Sequence, residues 1–377
     1  MIHTDYSQRL AAHLARTSWT ATGAAIAGYS STAVDAVLAK AEITFDDLAV
    51  LLSPAAGERL EEVARRAHQL TLQRFGRTVL MYAPLYVSNY CTNQCRYCGF
   101  NTENDLPRTA LSVDEAIRES MLLHEMGFRH ILLVSGEHPH FATNDYLAAL
   151  AEVLRHQFSS VGIEIQPLSC EEYRKLIAAG VDAVTCYQET YNPETYAEMH
   201  PGGPKRDYHW RLNTLDRAAS AGIRKVGLSA LYGLDDWRTE AYLAGMHARH
   251  LMTRYWQTQI SISFPRLRHA EGDFVPPYPI DDRALTQLIC ALRLVFPDVH
   301  LVLSTREPAV LRDHLLPLGI TQMSAASRTA PLGYSQEHEA GAQFDVMDTR
   351  SAAAVARAIA QLGYEPVWKD WDETFLA

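Results

Sequence analysis

Long basic runs are missing from this chain. Lysine and arginine number 34 against 44 aspartates and glutamates, net charge is −10, and no basic run is longer than a pair such as Arg65–Arg66. An enzyme acting on nucleic acid neutralises phosphates with a basic footprint, so a tRNA- or DNA-modifying role is disfavoured. Long apolar runs are missing as well. The longest are pieces such as HILLVSG at 130–136, well short of the roughly 20 residues of a membrane span. The opening MIHTDYSQRL lacks the charged-then-apolar pattern of a secretory signal. A cytoplasmic protein with no membrane or nucleic-acid partner is therefore expected. No solenoid-type repeat or low-complexity tract occurs, and with 21% charged residues long disorder is not expected. Cysteine is sparse: six residues, three of them scattered at Cys170, Cys186 and Cys290. In a large chain of this kind that argues against a disulfide framework and for metal binding.

What is present suggests repeated strand–helix units. At 377 residues and 47% hydrophobic content the chain can form two ordinary domains or one large barrel. Residues 1–76 read as a helical N-terminal extension, rich in Ala, Leu and Glu with apolar residues three and four apart. Ser31 can cap one of these helices and Gly76 can end the last. From Thr78 short apolar runs alternate with amphipathic stretches. Candidate strands are 78–88, 130–136, 161–168, 182–189, 226–233, 259–265, 300–305 and 320–327. Several intervening helical patterns end in glycine, at Gly127, Gly180 and Gly222. Eight such units predict a parallel sheet closing into a (β/α)8 TIM-type barrel over 77–330, with an open doubly wound sheet as the other solution. Residues 331–377 are expected to form a C-terminal loop, helix and tail packed on the barrel. Within them 334–350 read as a polar surface loop, and the tryptophans of YEPVWKDWDETFLA suggest a docked end. Polar residues gather where each strand stops: YVSNYC, SGEH, QPLSC, YQETY, LYGLDD, SFPRLR, STRE and SAASR. In a parallel barrel these ends share one mouth, where barrel active sites sit.

The stretch NYCTNQCRYCGF carries Cys91, Cys95 and Cys98 within eight residues and has no fourth cysteine. Thiolates are soft ligands suited to zinc, Cu(I) and iron–sulfur clusters. Three cysteines at this spacing can hold three corners of a [4Fe–4S] cube, leaving one iron for a small chelating molecule. S-adenosylmethionine offers an amine and a carboxylate for that purpose, and a reduced cluster so bound can release a 5′-deoxyadenosyl radical. A zinc site would need a fourth ligand, such as Cys170 or Cys186. A ferredoxin-like carrier would show four cysteines per cluster.

The loop resembles that of the radical S-adenosylmethionine superfamily. Together with PLYVSNYCTNQCRYCGF, LLVSGEH, QPL, YQETY, SFPRLR, LSTRE, PVWKDWD and the early LLSPAA, it resembles the tyrosine lyases of thiamine biosynthesis over nearly the whole chain. The resemblance implies a full barrel with the cluster at its mouth. Cys91, Cys95 and Cys98 would hold the cluster, and Tyr97 would lie near the adenine or serve as a hydrophobic plug. Ser135, Gly136 and Glu137 would offer backbone carbonyls to the cofactor amine, unless they form an ordinary strand-end turn. Glu189 and Arg211 would hold the methionine ammonium and carboxylate, or else form a surface ion pair. In ALYGLDDW, Tyr232 stands where relatives lead one to expect an aliphatic residue on the adenine side. For L-tyrosine, Arg306 would hold the carboxylate, Ser324 would add a hydroxyl, and Tyr86 would position the amine unless it is core filler. His138, Arg266 and Arg268 are mouth-side candidates for proton handling or phenol contacts, or are structural.

The implied reaction is hydrogen abstraction from the substrate amine, then Cα–Cβ cleavage to 2-iminoacetate and p-cresol. A flavodoxin or ferredoxin would supply the electron, and a thiazole synthase would receive the product. The alternatives are a tryptophan lyase, which shares the TRE arginine and the cysteine loop, and a non-enzymatic iron–sulfur or zinc-binding module. The hydrogenase-maturation lyases carry further cysteines near the C-terminus, whereas the last cysteine here is Cys290.

Overall fold

The computed structural model describes residues 7–336 and 341–372. Eight parallel strands run from β1 (Thr78–Ser88) through β2 (His130–Ser135), β3 (Ser160–Glu164), β4 (Ala183–Thr185), β5 (Lys225–Leu228), β6 (Gln259–Ser263), β7 (His300–Leu303) and β8 (Gln322–Ser324). Each pairs with the next. β1 also pairs with β8, with Tyr82 opposite Ser324, and with β2, with Ala83 opposite Ile131, so the sheet closes. The barrel expected from the alternation is the fold found, and the open-sheet alternative is not. Several strands are shorter than their apolar runs. The chain turns out of the ladder near Glu189 and Ala326, which take left-handed φ values of 71° and 51°. These turns carry the polar strand ends into the mouth.

Helices fill the spaces between strands, and three of them end as expected, with Gly127, Gly180 and Gly222 at positive φ just beyond the last turn. The N-terminal residues are helical from Ser7, and Gly76 ends the helix Leu60–Phe75 at φ 63°. The cap of Ser31–Leu38 falls one residue earlier than the sequence suggested. Ser30 has the extended backbone a cap needs, and its hydroxyl accepts the Ala33 N–H. Leu60–Phe75 buries Val63, Ala67 and Thr71, four residues apart, and packs on the helix Asp282–Val295. That helix also anchors the extension through Gln287, whose amide donates to the carbonyls of Leu51 (2.9 Å) and Ser53 (2.8 Å). Among the described residues no helix is long and apolar enough to cross a membrane.

The tail docks on the far end of the barrel. A short strand β9 (Glu365–Val367) adds in parallel to the start of β1. Trp368 packs edge-on to Phe128, Asp370 pairs with His130 at 2.9 Å, and Trp371 lies under Arg224. The last five residues of the tail motif, 373–377, lie outside the described residues. Residues 341–350 depart from the surface loop the sequence suggested. Asp348 is fully buried against Arg312 and Arg350, while Arg312 also donates to the Ser324 carbonyl. This pins the segment across the barrel next to β8. Arg312→Leu removes one partner of a fully buried charge pair and is expected to cost about 3–5 kcal/mol. A thermal or urea unfolding curve indistinguishable from wild type would contradict that.

Candidate functional site

The cysteine loop leaves the end of β1 and is held by backbone and side-chain hydrogen bonds on several sides. Arg108 donates to the carbonyls of Asn89 (2.7 Å), Phe100 (3.0 Å) and Asn101 (2.6 Å). Asn89 accepts from Thr109 N–H and donates to the carbonyls of Pro107 and Gly341. The Gln94 and Arg96 N–H groups donate to the carbonyls of Gly202 and Met199. The backbone that carries the three thiols is thereby preset. Cys91 receives a contact from the Asn93 amide at 3.6 Å and Cys98 one from the Gln343 amide at 3.8 Å. All six cysteines are free.

Cys186 and Cys290 belong to the main core, apart from the small cluster that holds Cys95 and Cys98. Among the described residues, no three His, Cys, Asp or Glu groups converge on a single metal position. One zinc ion would need the thiols drawn together, whereas a four-iron cube takes each thiol at a different iron. Burial pushes the Cys95 thiol up to about 12 and raises Cys98 as well, with Lys205 opposing in both. Free thiolates at Cys95 and Cys98 are therefore disfavoured, and bound iron would supply the positive charge they require. The donor set fits a cube with one open corner.

The Ser135–Gly136–Glu137 segment packs directly on this loop. A Cβ at Gly136 would lie 2.3 Å from the Tyr90 carbonyl oxygen and 3.0 Å from Cys91 Cβ, so only glycine fits. The Glu137 carbonyl accepts from both the N–H (2.8 Å) and the hydroxyl (3.1 Å) of Thr92, and its carboxylate accepts from Asn93 (2.7 Å). Glu137 thus fastens the loop instead of presenting a free carbonyl. Among the described residues the buried Ser135 hydroxyl has no partner, which leaves a polar group for a ligand.

Glu189 and Arg211 do form an ion pair, but a buried one. Arg211 (2.9 Å) and Lys205 (2.7 Å) both contact Glu189 Oε1, and no hydrogen bond reaches Oε2 among the described residues. Burial would raise this carboxyl, yet Lys205 and Arg211 hold it down at about 2, so an anionic oxygen stays available for an ammonium. Lys205 escaped the sequence reading, although the PGGPK turn that delivers it was visible. Gly203 in that turn has φ 85°, and a Cβ there would overlap Asn93.

Tyr97 sits in a small apolar cluster with Met199, Leu231 and Leu234. Its hydroxyl lies 2.8 Å from His200 Nε2, and His200 Nδ1 lies 2.7 Å from the Tyr196 carbonyl. Burial holds His200 near 3 and therefore neutral. A carbonyl only accepts, so Nδ1 carries the proton and Nε2 accepts from Tyr97. Leu231 and Leu234 supply the aliphatic face beside Tyr97, while Tyr232 belongs to the main core.

A cavity inside the barrel mouth gathers Arg306, Ser324 and Tyr86, together with Tyr82, Glu164, Tyr187, Ser327 and Phe344. Among the described residues no carboxylate lies within ion-pair distance of Arg306, whose guanidinium stacks 3.3 Å from the Phe344 ring centre. Its turn is rigid. Arg266 and Arg268 both grip the buried Glu307, and Arg268 also donates to the Arg306 carbonyl at 2.6 Å. Those two arginines are thus structural, and His138 packs edge-on to Tyr90 and tilted against Phe141. Ser324 accepts the Thr305 N–H at 3.2 Å, and the buried Ser327 hydroxyl has no partner among the described residues. Tyr86 donates to Gln343 at 2.7 Å, and Gln343 reaches Cys98, so this phenol is tied to the cysteine loop. Gln343 and Phe344 had no signal in the sequence. Glu164 had one, as a charged residue inside the apolar run VGIEIQPL.

Comparison with known proteins bears on this arrangement. Residues 85–244 match the model of the Radical SAM superfamily, and residues 263–365 match the Biotin and Thiamin Synthesis associated domain. The 2-iminoacetate synthases of Escherichia coli (strain K12) and Salmonella typhimurium are 47% and 46% identical over 348 residues, which is 92% of this chain and 92% of each relative. The crystal structure of the FeFe-hydrogenase maturase HydG from Carboxydothermus hydrogenoformans superposes with a TM-score of 0.87 at 32% identity, over 97% of this chain and 85% of its own. Methylornithine synthase (PylB) shares the fold, with a TM-score of 0.69 at 23% identity over 89% of this chain and 97% of its own.

Proposed function

The chain belongs to the 2-iminoacetate synthase family of the radical SAM superfamily, and on that premise we propose how its barrel mouth serves the reaction. The enzyme is a lyase that cleaves the Cα–Cβ bond of L-tyrosine to 2-iminoacetate and p-cresol for the thiazole of thiamine. When bound, the [4Fe–4S] cluster and S-adenosylmethionine that this superfamily implies supply a 5′-deoxyadenosyl radical. The chain's own residues supply position. Cys91, Cys95 and Cys98 would hold the cluster, and Glu189 Oε2 would take the methionine ammonium. Arg211 and Lys205 offer positive charge to its carboxylate, and Ser135, Gly136 and Tyr97 line the approach.

Arg306 carries the substrate assignment. It is a guanidinium on a rigid turn facing a tyrosine-lined cavity, and among the described residues no carboxylate lies within ion-pair distance of it. It would take the substrate carboxylate bidentately, with Ser324 and Ser327 offering hydroxyls. The Tyr86–Gln343 pair sits between this cavity and the cysteine loop, where the substrate amine must come to lose hydrogen. The electron has to come from outside, from a flavodoxin or ferredoxin. Because 2-iminoacetate hydrolyses readily in water, direct transfer to a thiazole synthase is proposed.

Anaerobic reconstitution with iron and sulfide, then dithionite, S-adenosylmethionine and tyrosine, tests this reading. Expected are p-cresol and 5′-deoxyadenosine together, with glyoxylate from hydrolysed 2-iminoacetate. An indole product from tryptophan would move the chain to the tryptophan lyases. Bound zinc with no turnover would favour the binding module.

A further inference from the structure

Glu164 ends β3. It pairs with Val134 on β2, which pairs in turn with Tyr86 on β1. Its carboxylate opens into the Arg306 cavity, yet among the described residues it has no hydrogen bond and no ion pair. The buried carboxylates Glu189, Glu307 and Glu240 are each engaged, Glu189 by Lys205 and Arg211, Glu307 by Arg266 and Arg268, and Glu240 by Thr190 and the Tyr191 N–H, whereas Glu164 is half-buried. An enclosed carboxylate is costly to leave unpaired, so the exception points to a missing cationic partner. Arg306 and Glu164 together give the cavity one free group of each sign, which matches the two charges of an α-amino acid.

We propose that Glu164 receives the α-ammonium of tyrosine and removes one proton from it, leaving the neutral amine from which hydrogen is abstracted. The assignment rests on the lyase reading above and adds the group that prepares the substrate. In the transfer one N–H bond breaks, its electron pair stays on nitrogen, and one O–H bond forms on the carboxylate. Ammonium and carboxylate become amine and carboxylic acid, with no change of oxidation state. Position suits the role, because Glu164 lines the same cavity as Arg306 and lies within electrostatic reach of Glu189, Arg211 and Lys205.

Its surroundings suit the role too. Burial pushes the Glu164 carboxyl up to about 7, with Arg306 opposing, so it can hold a proton near neutrality. The facing phenols cannot compete. Burial raises Tyr82 to about 12 and places Tyr86 and Tyr187 well above their usual range.

The test uses the full reconstituted enzyme with S-adenosylmethionine, as wild type, Glu164→Gln and Glu164→Asp. Equilibrium dialysis compares tyrosine with 3-(4-hydroxyphenyl)propionate, which keeps the carboxylate and phenol but lacks the amine. Glu164→Gln is expected to weaken tyrosine binding about 10- to 100-fold and leave the desamino analogue unchanged. Wild-type kcat/KM for p-cresol formation should fall as pH drops through about 7. Glu164→Gln should lose that limb, and Glu164→Asp should restore part of it. Equal weakening of both ligands would assign Glu164 to the phenol and overturn the proposal. Unchanged tyrosine binding, or an unchanged pH limb, would also overturn it. A wild type that makes no p-cresol would instead sink the lyase reading itself.

Discussion

Cys95→Ser is expected to reduce p-cresol and 5′-deoxyadenosine to background, a loss of at least about a thousandfold, and to lower reconstituted iron content. Cys95 is one of three thiols set by a loop whose backbone is fixed from the β1 end, the Gly202–Gly203 turn and the Gly136 crossing. Cys98 packs beside it in one small cluster, whereas Cys186 and Cys290 lie in the main core. Serine keeps the volume but is a hard oxygen donor poorly matched to iron–sulfur chemistry. Cys91→Ser and Cys98→Ser should behave alike, since each thiol would bind a separate iron. Cys170→Ser, at the start of the helix Cys170–Ala178, should retain activity and cluster absorption. Full activity in any of the three loop variants, or equal loss in Cys170→Ser, would show that the cluster is held elsewhere.

Arg306→Leu is expected to reduce kcat/KM for tyrosine by two to three orders of magnitude, with the iron content and spectrum of the reconstituted cluster unchanged. Among the described residues the guanidinium has no carboxylate within ion-pair distance, and it faces the cavity. The substrate carboxylate would supply one, and a charge-assisted bidentate pair contributes about 1.5–3 kcal/mol. Leaving a substrate carboxylate unpaired in an enclosed site adds its desolvation cost. Arg306→Lys should recover only part of the loss, because an ammonium is a point charge and cannot match both oxygens. Tyramine, which lacks the carboxylate, should be processed about equally poorly by wild type and variant. A variant with wild-type kcat/KM would remove Arg306 from the substrate site.

The fold was legible because its signals are local and repeated. Eight apolar runs separated by helical periodicity leave few architectures, and the polar strand ends already marked the mouth. The cysteine loop was legible because its ligands lie within eight residues. Long-range pairings stayed hidden. Gln343 reaches Tyr86 and Cys98 across some 250 residues of chain, and the segment that delivers it read as polar and irregular. Its conformation depends on Asp348 burying itself against Arg312 and Arg350, which only the folded barrel allows. Charge roles were also hard to apportion. Glu189 and Arg211 were assigned to a ligand or to each other, and the structure joins them on one carboxylate oxygen while the other stays open. Arg266 and Arg268 looked like mouth residues, but Glu307 occupies both. By contrast, Glu164 and Arg306 emerge as functional candidates because, among the described residues, neither has an ion-pair partner.

Electron–nuclear double resonance on the reduced wild-type enzyme with S-adenosylmethionine labelled by 15N and 17O at the methionine amine and carboxylate is the most direct test. Three thiols and one exchangeable iron corner predict hyperfine coupling from both labels, present in wild type and absent when S-adenosylmethionine is omitted. A reduced cluster that shows neither coupling at saturating cofactor, its fourth corner already taken by a side chain, would contradict the assignment on which the tyrosine chemistry rests.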